Sequence, residues 1–165
     1  MERAAIALAE FIEDNAKSTE LWRAWFAQHP QAFAVPCDIF ATKTVAGFVK
    51  HIFLAELRHS QRLTGQRVVN ADEVKATAGD ELFSVHDEAI ANYRRFASEA
   101  PVESLQEIID IQTLSRGTVR ASRRKLFVHV MLHSKRHWAQ LATLLRHHGA
   151  PTDWPHDFLF SEAME

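Results

Sequence analysis

The sequence predicts an all-α fold, a four-helix bundle with a long crossover connection, on three observations. Apolar residues recur at helical spacing in four long stretches, and cap or stop residues bound each stretch. The chain has 165 residues, 47% of them hydrophobic, which suits one domain around one core. A single domain over residues 1–165 is the expectation.

The first helix is read over residues 3–28, on Ile6, Leu8, Phe11, Ile12, Leu21, Trp22, Trp25 and Phe26. It ends before His29-Pro30, because the residue preceding a proline is pushed out of the α region. An irregular connection, PQAFAVPCDIF, follows. The second helix starts at Thr42 or Thr44, either of which is a competent cap, and runs to Leu63, with Gly65 as a left-handed stop. Residues 66–80 form a polar connector with a short helical piece at 72–76. The third helix starts at Asp80 or Ser84, where acids suit the positive end of the helix dipole, and stops before Pro101.

Residues 102–119 leave two readings open. The β-branched Ile108, Ile109 and Ile111 and the turn-like Ser115-Arg116-Gly117-Thr118 suit a short β-hairpin, and an irregular crossover is the alternative. The fourth helix covers residues 122–148, stopped by Gly149 and Pro151.

Composition narrows the function classes. A formal net charge of -2 gives no electrostatic reason to bind nucleic acid or an anionic membrane. The one cysteine, Cys37, precludes an internal disulfide and is expected to be inert. No apolar run approaches a membrane span, and the acidic opening MERAAIALAEFIEDN does not read as a signal peptide. The expectation is a cytoplasmic protein without membrane or nucleic-acid partners.

Chemistry is concentrated in a histidine ladder, His129-x3-His133-x3-His137, with Gln140 three residues on. Histidines at i, i+4 project from one side of a helix. With His133 at zero and about 100° per residue, Leu126, Val130, Leu141 and Leu144 fall on the arc that holds His137. His129 falls on the other margin, beside Lys125 and Arg136. The inward pair is therefore His133 and His137. On the second helix, Phe48, Ile52 and Ala55 place His51 inward too, whereas His59 is turned about 80° from it. Taken singly, each is most simply a core imidazole hydrogen-bonded to a neighbour. Together, three imidazoles from two facing helices suit a metal with open coordination positions.

These residues resemble the DinB/YfiT-like family of metalloenzymes over nearly the whole chain. The resemblance lies in Trp22 and Trp25 near the end of the first helix, in HIFLAE from His51 to Glu56, and in HVMLHSKRHWAQLATLLRHHG from His129. It implies a four-helix bundle binding a divalent transition metal through His51, His133 and His137. His129 and Gln140 would lie beside these ligands, Gln140 as a group touching a ligand or a bound water. Two departures stand out: Ser134 occupies a position that is often acidic in the family, and Trp138-Ala139 replaces the usual Arg-Gly. Residues 121–148 contain no carboxylate, so one candidate base is missing, and a zincin arrangement, which needs Glu after the first histidine, is excluded.

Imidazole ligation suits zinc and nickel foremost, and iron or copper. Such an ion lowers the pKa of bound water or holds a thiol as thiolate. The resemblance implies a thiol-dependent S-transferase or a related metal-water hydrolase, acting on a small-molecule substrate with a low-molecular-weight thiol. No catalytic residue beyond the ligands is singled out. The alternative is a non-catalytic metal-binding stress-response protein. The resemblance also implies a homodimer, and the apolar tail 154–160 is expected to pack on the bundle or on a second copy. Arg123-Arg124-Lys125 is read foremost as a solvated face, with salt bridges to neighbours or contact with an anionic substrate or cofactor as the alternative. His147 and His148 are read as favourable charge at a helix end, and His29, His86 and His156 as surface groups.

Overall fold

The computed structural model describes residues 7–113 and 117–164. Four helices carry it: α1 (Leu8–Gln28), α2 (Val45–Leu63), α3 (Gly79–Glu99) and α4 (Arg123–His147). Positions 3–6 of the expected first helix lie outside the described residues, as do Ser115 and Arg116 of the expected turn. Thr44 is the cap of α2, its hydroxyl accepting the Gly47 N–H at 3.2 Å, and Ser122 caps α4 by accepting the Lys125 N–H at 3.1 Å. Helix α4 stops at Gly149, whose φ of +75° is the left-handed value that only glycine adopts freely.

Helix α2 packs against α3 and α4, and α1 packs against the same two, so α1 and α2 are diagonal partners. Trp22, Phe26, Phe48, Phe53, Phe83, Tyr93 and Phe127 fill the space between them. At the centre one carboxylate joins all four helices. Glu56 of α2 is fully buried and accepts from Asn15 Nδ2 of α1 at 2.8 Å and from Ser134 Oγ of α4 at 2.6 Å. His86 of α3 donates its Nδ1–H to the other oxygen at 2.6 Å. A buried carboxylate needs its lone pairs filled, and here each helix supplies part of the shell.

Between α3 and α4 the hairpin reading holds. Strands β3 (Ile108–Thr113) and β4 (Gly117–Ser122), numbered after a smaller pair described below, run antiparallel with Ile108 opposite Ser122 and Thr113 opposite Gly117. Ile111 and Ala121 face the bundle and are buried. Arg123 holds the hairpin's end against the bundle. It pairs with Glu107 at 3.1 Å, lies over the Phe96 ring at 5.2 Å and donates to the Leu63 carbonyl. For Arg123 the salt-bridged alternative holds, not the solvated face.

Four expectations are corrected. Residues 72–76 are not helical: a turn at 71–73 is closed by the Glu73 N–H donating to the Asn70 carbonyl at 3.1 Å, too short a segment to sustain a helix. His86 is core, not surface, 2% exposed and bonded to Glu56. His156 stacks on Trp22 at 5.4 Å, and half-buried His29 stacks on Trp25 at 4.3 Å, because each ring finds an indole face to cover. The tail packs back on α1 through Trp154 and His156, while Phe158, Leu159 and Phe160 stay exposed. No helix among the described residues is long and apolar enough to cross a membrane.

Candidate metal centre

The connection between α1 and α2 supplies the cover of the site. Its strands β1 (Pro36–Cys37) and β2 (Lys43–Thr44) pair antiparallel and bring a tight turn, Ile39–Ala41, over the start of α2. The backbone there is unusual. Phe40, Ala41 and Lys43 have φ of +53°, +56° and +62°, left-handed values that non-glycine residues rarely adopt. Close approach to α2 is possible because position 47 is glycine: a Cβ there would lie 2.5 Å from the Thr42 carbonyl oxygen. The result is a phenyl ring on the histidines. Phe40 stacks on His51 at 4.9 Å and meets His137 edge-on at 5.3 Å.

His51 from α2 and His133 and His137 from α4 converge beneath that ring. One ring nitrogen from each lies within 4.8 Å of the others, close enough for all three to bind the same ion. Ring centroids are 5.4 Å apart for His51 and His133, 5.2 Å for His51 and His137, and 4.2 Å for His133 and His137. The helical arc therefore selects the same pair on α4 that the structure brings to His51. His129 stands apart, 5.9 Å from His133 and 6.0 Å from His59 by ring centroid, outside the convergent three.

The protonation pattern suits ligation. His137 donates its Nδ1–H to Gln140 Oε1 at 2.6 Å, which leaves Nε2 as a lone pair. That lone pair accepts from Arg136 Nη2 at 3.3 Å and from His133 Nε2 at 3.0 Å. His51 Nε2 is buried and has no hydrogen-bond partner, an orphan that an ion would satisfy. Burial holds His133 down to about 2, helped by His137, His51, His129 and Arg136. Burial also lowers His137 to about 4, against the opposing hydrogen bond to Gln140, and lowers His51. All three rings are therefore neutral at pH 7, the form that binds metal. No carboxylate or thiol joins them among the described residues.

Three residues of this neighbourhood escape the sequence reading. Glu56 anchors the neighbour of His133 through Ser134, and its signal is a lone acid among Ile52, Phe53 and Leu57. Arg136 was assigned only to the polar margin of its helix, although it touches His137. Phe40 carries no signal at all, since a left-handed phenylalanine cannot be read from its neighbours in sequence.

A helical bundle that gathers three neutral imidazoles from two facing helices fits a metal-binding class of protein. The chain belongs to the DinB family, which it matches over residues 4–165. No curated protein matches it.

Proposed function

We propose that the chain is a metal-dependent enzyme, a thiol-dependent S-transferase, with hydrolysis by metal-activated water as a variant of the same chemistry. One observation carries this reading: three histidines share a site to which no fourth protein ligand is added among the described residues. A structural site closes its coordination sphere with protein, whereas a catalytic one leaves room for substrate. His51, His133 and His137 are the ligands in this reading, and Gln140 orients His137. When bound, a divalent transition ion, zinc or nickel ahead of iron or copper, supplies a Lewis acid that holds a thiol as thiolate or brings water to a pKa of about 7. Phe40 covers one side of the His51 and His137 rings. His129 lies too far out to share the ion and serves as an outer neighbour.

Two further parts belong to the proposal. A reducing, cytoplasmic setting agrees with a single free cysteine, Cys37. Pairing of two copies agrees with the exposed Phe158, Leu159 and Phe160.

The test is turnover of a low-molecular-weight thiol with a chromogenic electrophile, using chain loaded with zinc or nickel. Thioether formation should require the ion and disappear in His133→Ala. Equal rates after chelation would contradict the proposal. If removing the ion lowers the melting temperature but no thiol or electrophile binds at the site, the protein is a non-catalytic metal binder instead.

A further inference from the structure

Arg136 is a cation in an unexpected place. Its Nη2 lies 3.3 Å from His137 Nε2, one of the nitrogens that converge on the site, and its charge acts on His51, His129, His133 and His137 alike. No acidic side chain pairs with it among the described residues, and α4 contains no Asp or Glu. A divalent ion held by neutral imidazoles would then face a guanidinium with no protein anion to separate them. Such a pair is repulsive until an anion lies between the two.

A shallow surface groove adjoins that point. About 530 Å³ in volume, it runs along α4, lined by the apolar Ile39, Ala139 and Leu144 and by the polar Arg136, Gln140, Thr143 and His147. Of these polar residues, Arg136 and Gln140 contact His137. The groove's volume suits a small organic molecule, and its lining offers both apolar and polar contacts.

We propose that Arg136 recognises a carboxylate of the small molecule that reaches the ion, so that this site takes carboxylate-bearing substrates. The claim rests on the metal reading above. The guanidinium fork matches a carboxylate with two parallel hydrogen bonds, and the ion draws the same group from its other side. Ile39, Thr143 and Leu144 then hold the remainder of the molecule.

Cobalt(II) replaces the native ion as a visible probe, and acetate serves as the smallest carboxylate. Acetate is titrated into the cobalt-loaded chain in a non-coordinating buffer, followed by the visible absorption of the ion. Relative to the unaltered chain, Arg136→Gln should weaken acetate by about 10- to 100-fold, the value of one or two charge-assisted bonds. Arg136→Lys should recover part of that loss. Without acetate, Arg136→Gln should bind cobalt as tightly or more tightly, because a repelling charge is gone. Acetate affinity within twofold of the unaltered chain in Arg136→Gln would overturn the carboxylate proposal and leave the metal site intact. Failure of the unaltered chain to bind cobalt would overturn both.

Discussion

At the scale of residues, the fold turns on a carboxylate that no periodicity identifies as central. Glu56 receives three donors from three different helices, and Ser134, one of them, is next to His133. Replacing Glu56 with alanine strands Asn15 and His86 in the core and leaves Ser134 only its 3.2 Å bond to the Val130 carbonyl. The expected cost is about 3–5 kcal/mol, the usual penalty for removing one partner of a buried charged network. Urea denaturation measures it directly, and a loss under about 1 kcal/mol would mean that water or a repacked side chain fills the gap. His86 shows how such a group could have been found. Leu82, Phe83, Ala89 and Ile90, all buried, lie three or four residues away on either side, so its ring belongs to the apolar arc of α3. Its partner is 30 residues distant in sequence, which is why the arc alone gives burial without the bond.

At the scale of elements, the segment from Phe40 to Thr44 is the structural oddity. Left-handed backbone at Phe40, Ala41 and Lys43 costs free energy, and packing on α2 and on the histidines offsets it. Gly47 makes that packing possible. Gly47→Ala places a methyl against the Thr42 carbonyl, backbone that has no rotamer with which to yield. The expected loss is about 1–3 kcal/mol, with the Phe40 ring displaced from His51. Denaturation gives the first and ring-current shifts of the His51 protons give the second; unchanged shifts would show that the turn does not depend on this glycine. The long helices, by contrast, were legible. Their apolar spacing and the caps Thr44 and Ser122 are local properties, as is the β-branched run Ile108, Ile109 and Ile111 that marks the hairpin. What sequence does not reveal is the contact between distant elements: Arg123 on Phe96, or Phe40 on His51.

At the scale of the whole molecule, the buried histidines set the response to acid. Burial, with Arg62, His129 and Arg58 adding to it, holds His59 down to about 3; His133 lies at about 2 and His137 at about 4. Unfolding returns each to about 6.5, so the unfolded chain takes up protons first as pH falls. Their contribution to stability is therefore complete above pH 6.5 and is lost progressively from there down through the folded-state values. Metal-free protein should melt at similar temperatures at pH 7 and 8, and at clearly lower ones at pH 4.5. His59→Gln should flatten that acid limb. A melting temperature that rises between pH 6.5 and 4.5 would mean that the imidazoles are charged and paired in the fold. The convergence of the three histidines was legible because two separate helical arcs both pointed inward, and its surroundings were not, because Arg136 and Phe40 act on it from outside those arcs.

The central claim is that His51, His133 and His137 hold one divalent ion between two helices. Calorimetric titration of the metal-free chain with zinc, alongside His51→Ala, His133→Ala and His137→Ala, tests it most directly. About one ion per chain should bind the unaltered protein, and each substitution should weaken that binding by at least about 100-fold while leaving the helical circular dichroism intact. Unchanged affinity in His51→Ala, the one ligand supplied by α2, would place any ion elsewhere and contradict the account.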